Sequence, residues 1–437
     1  MPKHTGKLKK INIITLGCSK NLVDSEYLLR QFEANNIAVT HNDESADART
    51  VIINTCGFIH DAKEESVNTI LGYIKAKQDG RIDHVFVMGC LSQRYKTDLE
   101  KEIPDVDSYF GVNSLKEVIS TIGLNYRYEL TGERKLTTPA HYAYLKIAEG
   151  CDQKCAFCAI PLIRGKLKSR KAEDILEEAE ALCRKGVKEL ILIAQDLTAY
   201  GTDIYKKKAL AELLTRLSDI RGLEWIRLHY AYPVAFPKDV INVMKERNNI
   251  CKYLDIPFQH HSNSVLSAMK RGHSSRENIE LIQYIRSNIP DITLRTTVLT
   301  GFPGETEKDF KELLSFIKEV RFDRLGVFTY SEEEGTSAAS ALKDDVPDAI
   351  KKARADEIMY AQQQISKELN FNKIGKSFKV LIDDREGEYF TGRTEADSPE
   401  VDNEVLISPG NKTLQAGKFY NITITAAEEF TLFGKTT

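Results

Sequence analysis

Residues 151–158 read Cys151-Asp152-Gln153-Lys154-Cys155-Ala156-Phe157-Cys158, three thiols spaced C-x3-C-x2-C. Two thiols at such spacing suit a redox disulfide or half of a zinc site. Three, with no fourth Cys or His beside them, suit an iron–sulfur cluster, whose irons are held by Cys thiolates, normally four. A cluster supplied with three keeps one iron open to a reactant, as a catalytic zinc keeps one position open. A zinc knuckle is the competing reading, but zinc takes four ligands in two pairs and no second pair follows at the usual distance.

Composition narrows the setting. The chain has 437 residues, 29% of them charged, and a net charge of −3. That is room for several cores without the basic field that nucleic-acid binding favours. The basic stretch Met1–Lys10 is followed by an apolar run, Ile11–Leu16, too short for a signal peptide or a membrane span. A cytoplasmic protein with no membrane partner is expected. There the eight cysteines stay reduced and point to metal or catalysis.

Upstream of the thiol stretch, short apolar strands alternate with helical patterns. Strands are expected at Ile11–Leu16, Thr50–Asn54 and His84–Met88, and helices at Asp24–Asn35, Ala62–Lys77 and Ser92–Lys101. Such alternation means a parallel sheet, and ligands bind beyond the carboxyl ends of its strands. Cys18, Cys56 and Cys90 each follow a strand by two residues, each beside a glycine. Topology thus gathers a second thiol trio at one sheet edge. Core filling is the bland alternative for a buried cysteine, but three placed alike favour ligation.

The alternation restarts at His141. Strands are expected near Tyr142–Ala148, 189–194, 225–230, 253–258, 293–299 and 324–329. Helices fill the gaps at Ala172–Lys185, Ala209–Arg221, Pro237–Arg247, Ser264–Ser287 and Thr306–Val320, with a long one at Pro347–Asn370. Six βα units make an open, partial TIM barrel whose reactive residues lie on the loops after the strands. From about residue 371, five short β runs read as a small closed barrel of the OB type. It carries eight basic and eleven acidic residues, a net −3. Phosphate neutralisation drives RNA binding, so this module suits a basic protein partner better, or its acids are simply solvated. The expected fold is therefore an α/β multidomain chain: an N-terminal parallel α/β domain (1–134), a central open (βα)6 barrel (135–370) and a small five-stranded β-barrel (371–437).

These pieces resemble the radical SAM (S-adenosylmethionine) methylthiotransferase family over essentially the whole length. The motifs that carry the resemblance are Leu16-Gly17-Cys18-Ser19-Lys20-Asn21-Leu22-Val23-Asp24-Ser25-Glu26, Asn54-Thr55-Cys56-Gly57-Phe58-Ile59, Tyr144-Leu145-Lys146-Ile147-Ala148-Glu149-Gly150-Cys151 and Tyr253-Leu254-Asp255-Ile256-Pro257-Phe258-Gln259-His260. Within the family they are most similar to the branch that modifies a ribosomal protein. The branch acting on tRNA adenosine usually has Gln-Met where Ser19-Lys20 stand, and tends to a basic terminal TRAM barrel; tRNA stays open as the alternative substrate. A non-catalytic, zinc-bound RNA-binding protein is the rival of another class.

The resemblance implies two 4Fe-4S clusters and SAM as cofactors. Cys151, Cys155 and Cys158 would hold the cluster that splits SAM to a 5′-deoxyadenosyl radical. Cys18, Cys56 and Cys90 would hold an auxiliary cluster whose sulfur is methylated by a first SAM. The radical then removes hydrogen from the β-carbon of an aspartate in small-subunit ribosomal protein twelve, which captures the methylthio group. An external electron donor is implied, and the ribosome or the free protein is the partner. The cofactors carry the chemistry and the protein places them. Phe157, Gln195, Asp196, Gly301 and Pro303 are the SAM contacts the resemblance suggests; no side chain beyond the cluster ligands is marked as catalytic. Arg164 and Arg170 are candidates to pair with a carboxylate. Cys183 and Cys251 read as core. His260 and His261 read as substrate contacts, caps or solvated residues.

Overall fold

The computed structural model describes residues 10–45, 47–130, 132–408, 410 and 413–436. Met1–Lys9 and Lys412, which the sequence reading used, lie outside them. The N-terminal unit runs β1 (Lys10–Thr15), α1 (Ser19–Ala34), β2 (Ala38–His41), β3 (Thr50–Thr55), α2 (His60–Gln78), β4 (His84–Gly89), α3 (Cys90–Glu102), β5 (Ser108–Tyr109) and α4 (Leu115–Thr121). Its sheet is parallel throughout, in the order β2-β1-β3-β4-β5. The three expected strands occupy its centre. The reading missed β2, which is half-buried, and β5, which has only two residues. Both are edge strands, where the apolar pattern that marks a strand is weakest.

The second unit starts with β6 (Tyr142–Lys146), β7 (Ala148–Glu149), α5 (Ile160–Arg164), β8 (Lys168–Ser169), α6 (Ala172–Arg184) and β9 (Glu189–Ile193). It continues with α7 (Leu210–Ser218), β10 (Trp225–Leu228), α8 (Lys238–Glu246), β11 (Ile250–Asp255), α9 (Asn263–Ala268), α10 (Ser275–Asn288) and β12 (Thr293–Thr300). It ends with α11 (Glu307–Val320), β13 (Arg324–Thr329), α12 (Ser337–Ala341) and α13 (Asp348–Phe371). The parallel six-stranded sheet β6-β9-β10-β11-β12-β13 is open, as expected. The single helix expected over 264–287 is two. Lys270 and Gly272 between them have left-handed backbone, φ +55° and +73°, which a continuous helix excludes.

Alternation along the strands sorts the two faces of this sheet. Ala143, Leu145, Leu190, Leu192, Ile226, Leu228, Leu254 and Leu294 join the helices in the main core. Tyr142, Tyr144, Ile191 and Ile193 point the other way, where Val23 and Leu22 of α1 pack on them. So the N-terminal unit covers part of the barrel's concave face.

The third unit, β14 (Ser377–Glu386), β15 (Tyr389–Thr394), β16 (Glu404–Ser408), β17 (Phe419–Ala427) and β18 (Thr431–Thr436), closes as β14-β15-β16-β18-β17. A few of its acidic residues depart from expectation. The loop after β15 enters the concave side of the large sheet, and its carboxylates meet arginines there. Asp397 pairs with Arg324, and Asp402 pairs with Arg295 at 2.6 Å and accepts from the Tyr253 hydroxyl at 2.8 Å. Ser398 contacts His229 at 2.8 Å, and the Glu395 carbonyl accepts from Arg227 at 2.7 Å. Glu400 faces the hydroxyls of Tyr142 and Tyr144 at 3.5 and 3.4 Å. From β14, Asp383 holds His141 at 2.8 Å and Arg393, and Arg393 reaches Glu189 at 2.8 Å. Asp383, Asp397 and Asp402 are thus spent inside the molecule, while Asp384, Glu386, Glu388, Glu395, Glu400, Glu404 and Glu428 stay exposed.

Removing one partner of a buried ion pair strands the other charge. Asp397→Ala should cost about 3 kcal/mol or more in urea unfolding at neutral pH. Glu386→Ala, on the exposed β14–β15 hairpin, should stay within about 0.5 kcal/mol of wild type.

Candidate active site

The Cys18, Cys56 and Cys90 trio is built by register. Thr15 lies beside Asn54, and Asn54 beside Met88, so β1, β3 and β4 end at one level. Cys18 is the N-cap of α1, Cys56 follows β3 directly, and Cys90 opens α3. Gly17 (φ +85°) lets the chains close in: a Cβ there would lie 2.9 Å from the Cys56 sulfur. Asn21 ties the loops, donating to the carbonyls of Leu16 at 2.9 Å and Thr55 at 3.1 Å.

Burial raises the Cys56 thiol and pushes Cys90 up to about 12, and the thiols raise one another. Cys18 differs. Solvent reaches it, yet enough protein rings it for desolvation to press its pKa upward, as in an open hollow. Lys20, Arg164 and the backbone N–H groups of Asn21 and Lys20 outweigh that, and the net shift is downward.

The second trio sits in the loop after β6 and β7. Each sulfur has a donor aimed at it, which suits thiolate. Cys151 accepts from Gln153 N at 3.4 Å and Cys155 from Arg271 Nη1 at 3.2 Å; the backbone of Ile160 serves Cys158. Tyr232 Oη lies 3.6 Å from the Cys155 sulfur. Burial pushes Cys151 up to about 12 and Cys158 to about 11. Among the described residues, no three His, Cys, Asp or Glu side chains converge as they would around a single ion. A cluster binds each thiolate at a different iron, so its ligands stand apart. Three thiols per loop set with hydrogen-bond donors on sulfur fit that group.

Between the trios runs a buried charge network that the sequence reading did not foresee. Lys146 pairs with Asp24 and, at 2.7 Å, with Glu149. Arg164 reaches Asp24 at 3.0 Å and Glu149 at 2.7 Å. Its other nitrogen donates to Asn21 Oδ1 at 2.5 Å and to the Cys90 sulfur at 3.3 Å. Asp24 belongs to the N-terminal unit, and Lys146, Glu149 and Arg164 to the barrel. One guanidinium thus touches a thiol of one trio and a carboxylate two residues from the other.

Three family descriptions match this chain: the Radical SAM superfamily over 145–317, Uncharacterized protein family UPF0004 over 10–111, and the TRAM domain over 374–436. Ribosomal protein uS12 methylthiotransferase RimO of Cytophaga hutchinsonii is 56% identical over 98% of this chain and 97% of its own. The protein of that name from Bacteroides thetaiotaomicron is 54% identical over 98% of both. The chain belongs to the RimO family of radical SAM methylthiotransferases. Among solved structures, the radical SAM methyltransferase TsrM of Kitasatospora setae, with cobalamin and a [4Fe-4S] cluster bound, aligns with TM-score 0.54 at 13% identity, over 76% of this chain and 77% of its own. The cobalamin-dependent radical enzyme OxsB aligns with TM-score 0.52, also at 13% identity, over 82% of this chain and 56% of its own. These two show the fold alone.

As a RimO-family enzyme it uses two 4Fe-4S clusters and SAM. Of the suggested SAM contacts, Phe157 is half-buried and meets Phe302 edge to face at 6.4 Å. Gly301 (φ +72°) donates its N–H to Glu305 at 2.8 Å, which holds the turn containing Pro303. Gln195 donates to Glu149 at 3.3 Å and keeps its buried oxygen unpartnered. Asp196 is already engaged, accepting from Thr198 N at 2.9 Å and from Gln153 Nε2 at 2.9 Å. Arg164 and Arg170 do pair with carboxylates, but the protein's own: Arg170 holds Glu178 at 2.6 Å. His260 is buried 3.4 Å from Glu305, and His261 stacks on Phe316 at 4.0 Å. Cys251 is buried under the small barrel's Leu381, and Cys183 packs on the main core; neither joins a trio.

Although burial raises it, Glu149 is held down to about 2 by Lys146 and Arg164. A folded-state value below the unfolded one, near 4.5, means a contribution complete above that pH and lost as pH falls towards 2. Urea unfolding should find Glu149→Gln less stable than wild type at pH 7. The gap should shrink as pH falls below about 4.5.

Proposed function

We propose that this enzyme inserts a methylthio group at the β-carbon of an aspartate of ribosomal protein uS12, in the cytoplasm, with electrons from an external donor. The printed names of the full-length relatives support the substrate. We assign the radical-generating cluster to Cys151, Cys155 and Cys158 and the auxiliary cluster to Cys18, Cys56 and Cys90. The residue ranges 1–134, 135–370 and 371–437 are taken as the three working domains. The observation that carries the two-cluster reading is the buried network in which Arg164 meets Cys90 at one end and Glu149 at the other.

When bound, the clusters and SAM supply one-electron cleavage and the transferable sulfur. The chain's own groups do the placing. Arg271 and the Gln153 and Ile160 amides lend hydrogen bonds to the sulfurs of one trio, and Arg164 and the backbone N–H groups of Lys20 and Asn21 to those of the other. Lys146, Asp24, Glu149 and Arg164 fix the distance between the two loops, which gives a two-part reaction its proximity. Asp383, Asp397 and Asp402 are engaged inside the molecule, but Asp384, Glu386, Glu388, Glu395, Glu400, Glu404 and Glu428 stay exposed, so the barrel's outer surface still offers tRNA phosphates no basic field.

Anaerobic reconstituted enzyme, reductant and methyl-labelled SAM should be offered uS12 and bulk tRNA together. A methylthio aspartate is the expected product; label on an adenosine would replace uS12 with tRNA. Cys155→Ala should abolish SAM cleavage. Cys56→Ala should keep cleaving SAM while forming no methylthio product, and native-rate product from it would sink the auxiliary assignment.

A further inference from the structure

Lys20, in the first turn of α1, is a buried cation with no carboxylate. The residue is 9% exposed. Its Nζ lies 3.6 Å from the centre of the Tyr230 ring, and it forms no ion pair among the described residues. The neighbouring buried cations all have anions: Lys146 and Arg164 share Asp24 and Glu149, Arg295 has Asp402, and Arg324 has Asp397. Taking an ammonium out of water is costly unless it is paired. A ring face returns part of that cost, and an arriving anion would return more.

Lys20 stands two residues after Cys18, and the Tyr230 ring beneath its ammonium lies in the loop after β10. Lys20 forms no ion pair with Asp255, which ends β11, among the described residues. Asp255 is buried; one oxygen accepts from Tyr230 N at 3.4 Å and the other has no partner. Tyr230 itself has left-handed backbone, φ +65°. That conformation is costly for a bulky residue and clusters at functional sites. Here it joins a ring under Lys20 to an N–H on Asp255.

We propose that the Lys20 ammonium receives the side-chain carboxylate of the substrate aspartate, while the free oxygen of Asp255 accepts an N–H of the substrate backbone. The inference rests on the aspartate-substrate reading above. A carboxylate held by Lys20 has its β-carbon one bond away, so the clamp places the reacting carbon beside the Cys18 trio. It also separates aspartate from asparagine. A charge-assisted bond is roughly twice as strong as a neutral one, and an ammonium left facing an amide is unpaired.

The test uses reconstituted enzyme and two fluorescent peptides of the uS12 target loop that differ only in Asp or Asn at the modified position. Binding is read by anisotropy and product by mass spectrometry. Wild type should bind the Asp peptide about tenfold or more tightly than the Asn peptide. Lys20→Met should bind both alike while still cleaving SAM, and Lys20→Arg, which keeps the charge, should retain the preference. Asp255→Asn should weaken both peptides equally. Preference retained in Lys20→Met, or lost in Lys20→Arg, overturns the clamp. Wild type that binds the Asp peptide but never modifies it tells against the substrate reading itself.

Discussion

Buried charge must be paired, and the pairing of Asp24, Lys146, Glu149 and Arg164 crosses the seam between the two α/β units. Neither unit can leave without stranding charges in the other. A second clasp repeats the device nearby: Arg134 holds Glu26 at 2.5 Å and Glu178 at 2.8 Å, all three fully buried. The seam is therefore fixed at two points. The Cys18, Cys56 and Cys90 loops hang from one side of it, and the Cys151, Cys155 and Cys158 loop from the other. A reaction that carries a sulfur from one cluster to a carbon activated at another needs that fixed geometry.

The same rule holds the small barrel. Its loop of residues 395–403 carries carboxylates onto arginines on the concave face of the large sheet. An open six-stranded sheet leaves that face uncovered; here α1 covers part of it and this loop another part. What looked like a separate acidic module sends this loop onto the concave face of the large sheet.

What the sequence made legible was local. Apolar alternation placed all six barrel strands and the three central N-terminal strands, because each pattern repeats within a few residues. The cysteines were legible for the same reason, three by their own spacing and three by their offset from strand ends. Lys146 and Asp24 are 122 residues apart and Arg324 and Asp397 are 73 apart, and no period links them. Arg164 reads as a candidate to pair with a carboxylate, but only the fold shows that the carboxylates are Asp24 and Glu149 and that a thiol, Cys90, joins them. Which acids of the terminal barrel turn inward was hidden for the same reason: their number is visible in the chain, and their direction is not. The kink at Lys270–Gly272 was hidden because lysine gives no local sign of left-handed backbone.

The central claim is that two separate thiol trios each hold a cluster. Its most direct test is an iron count with Mössbauer spectra on reconstituted wild type and on two triple variants, Cys18/Cys56/Cys90→Ala and Cys151/Cys155/Cys158→Ala. Wild type should carry about eight irons per chain and each variant about four, all in 4Fe-4S form. A wild type with four irons, or a variant that keeps all eight, would contradict it.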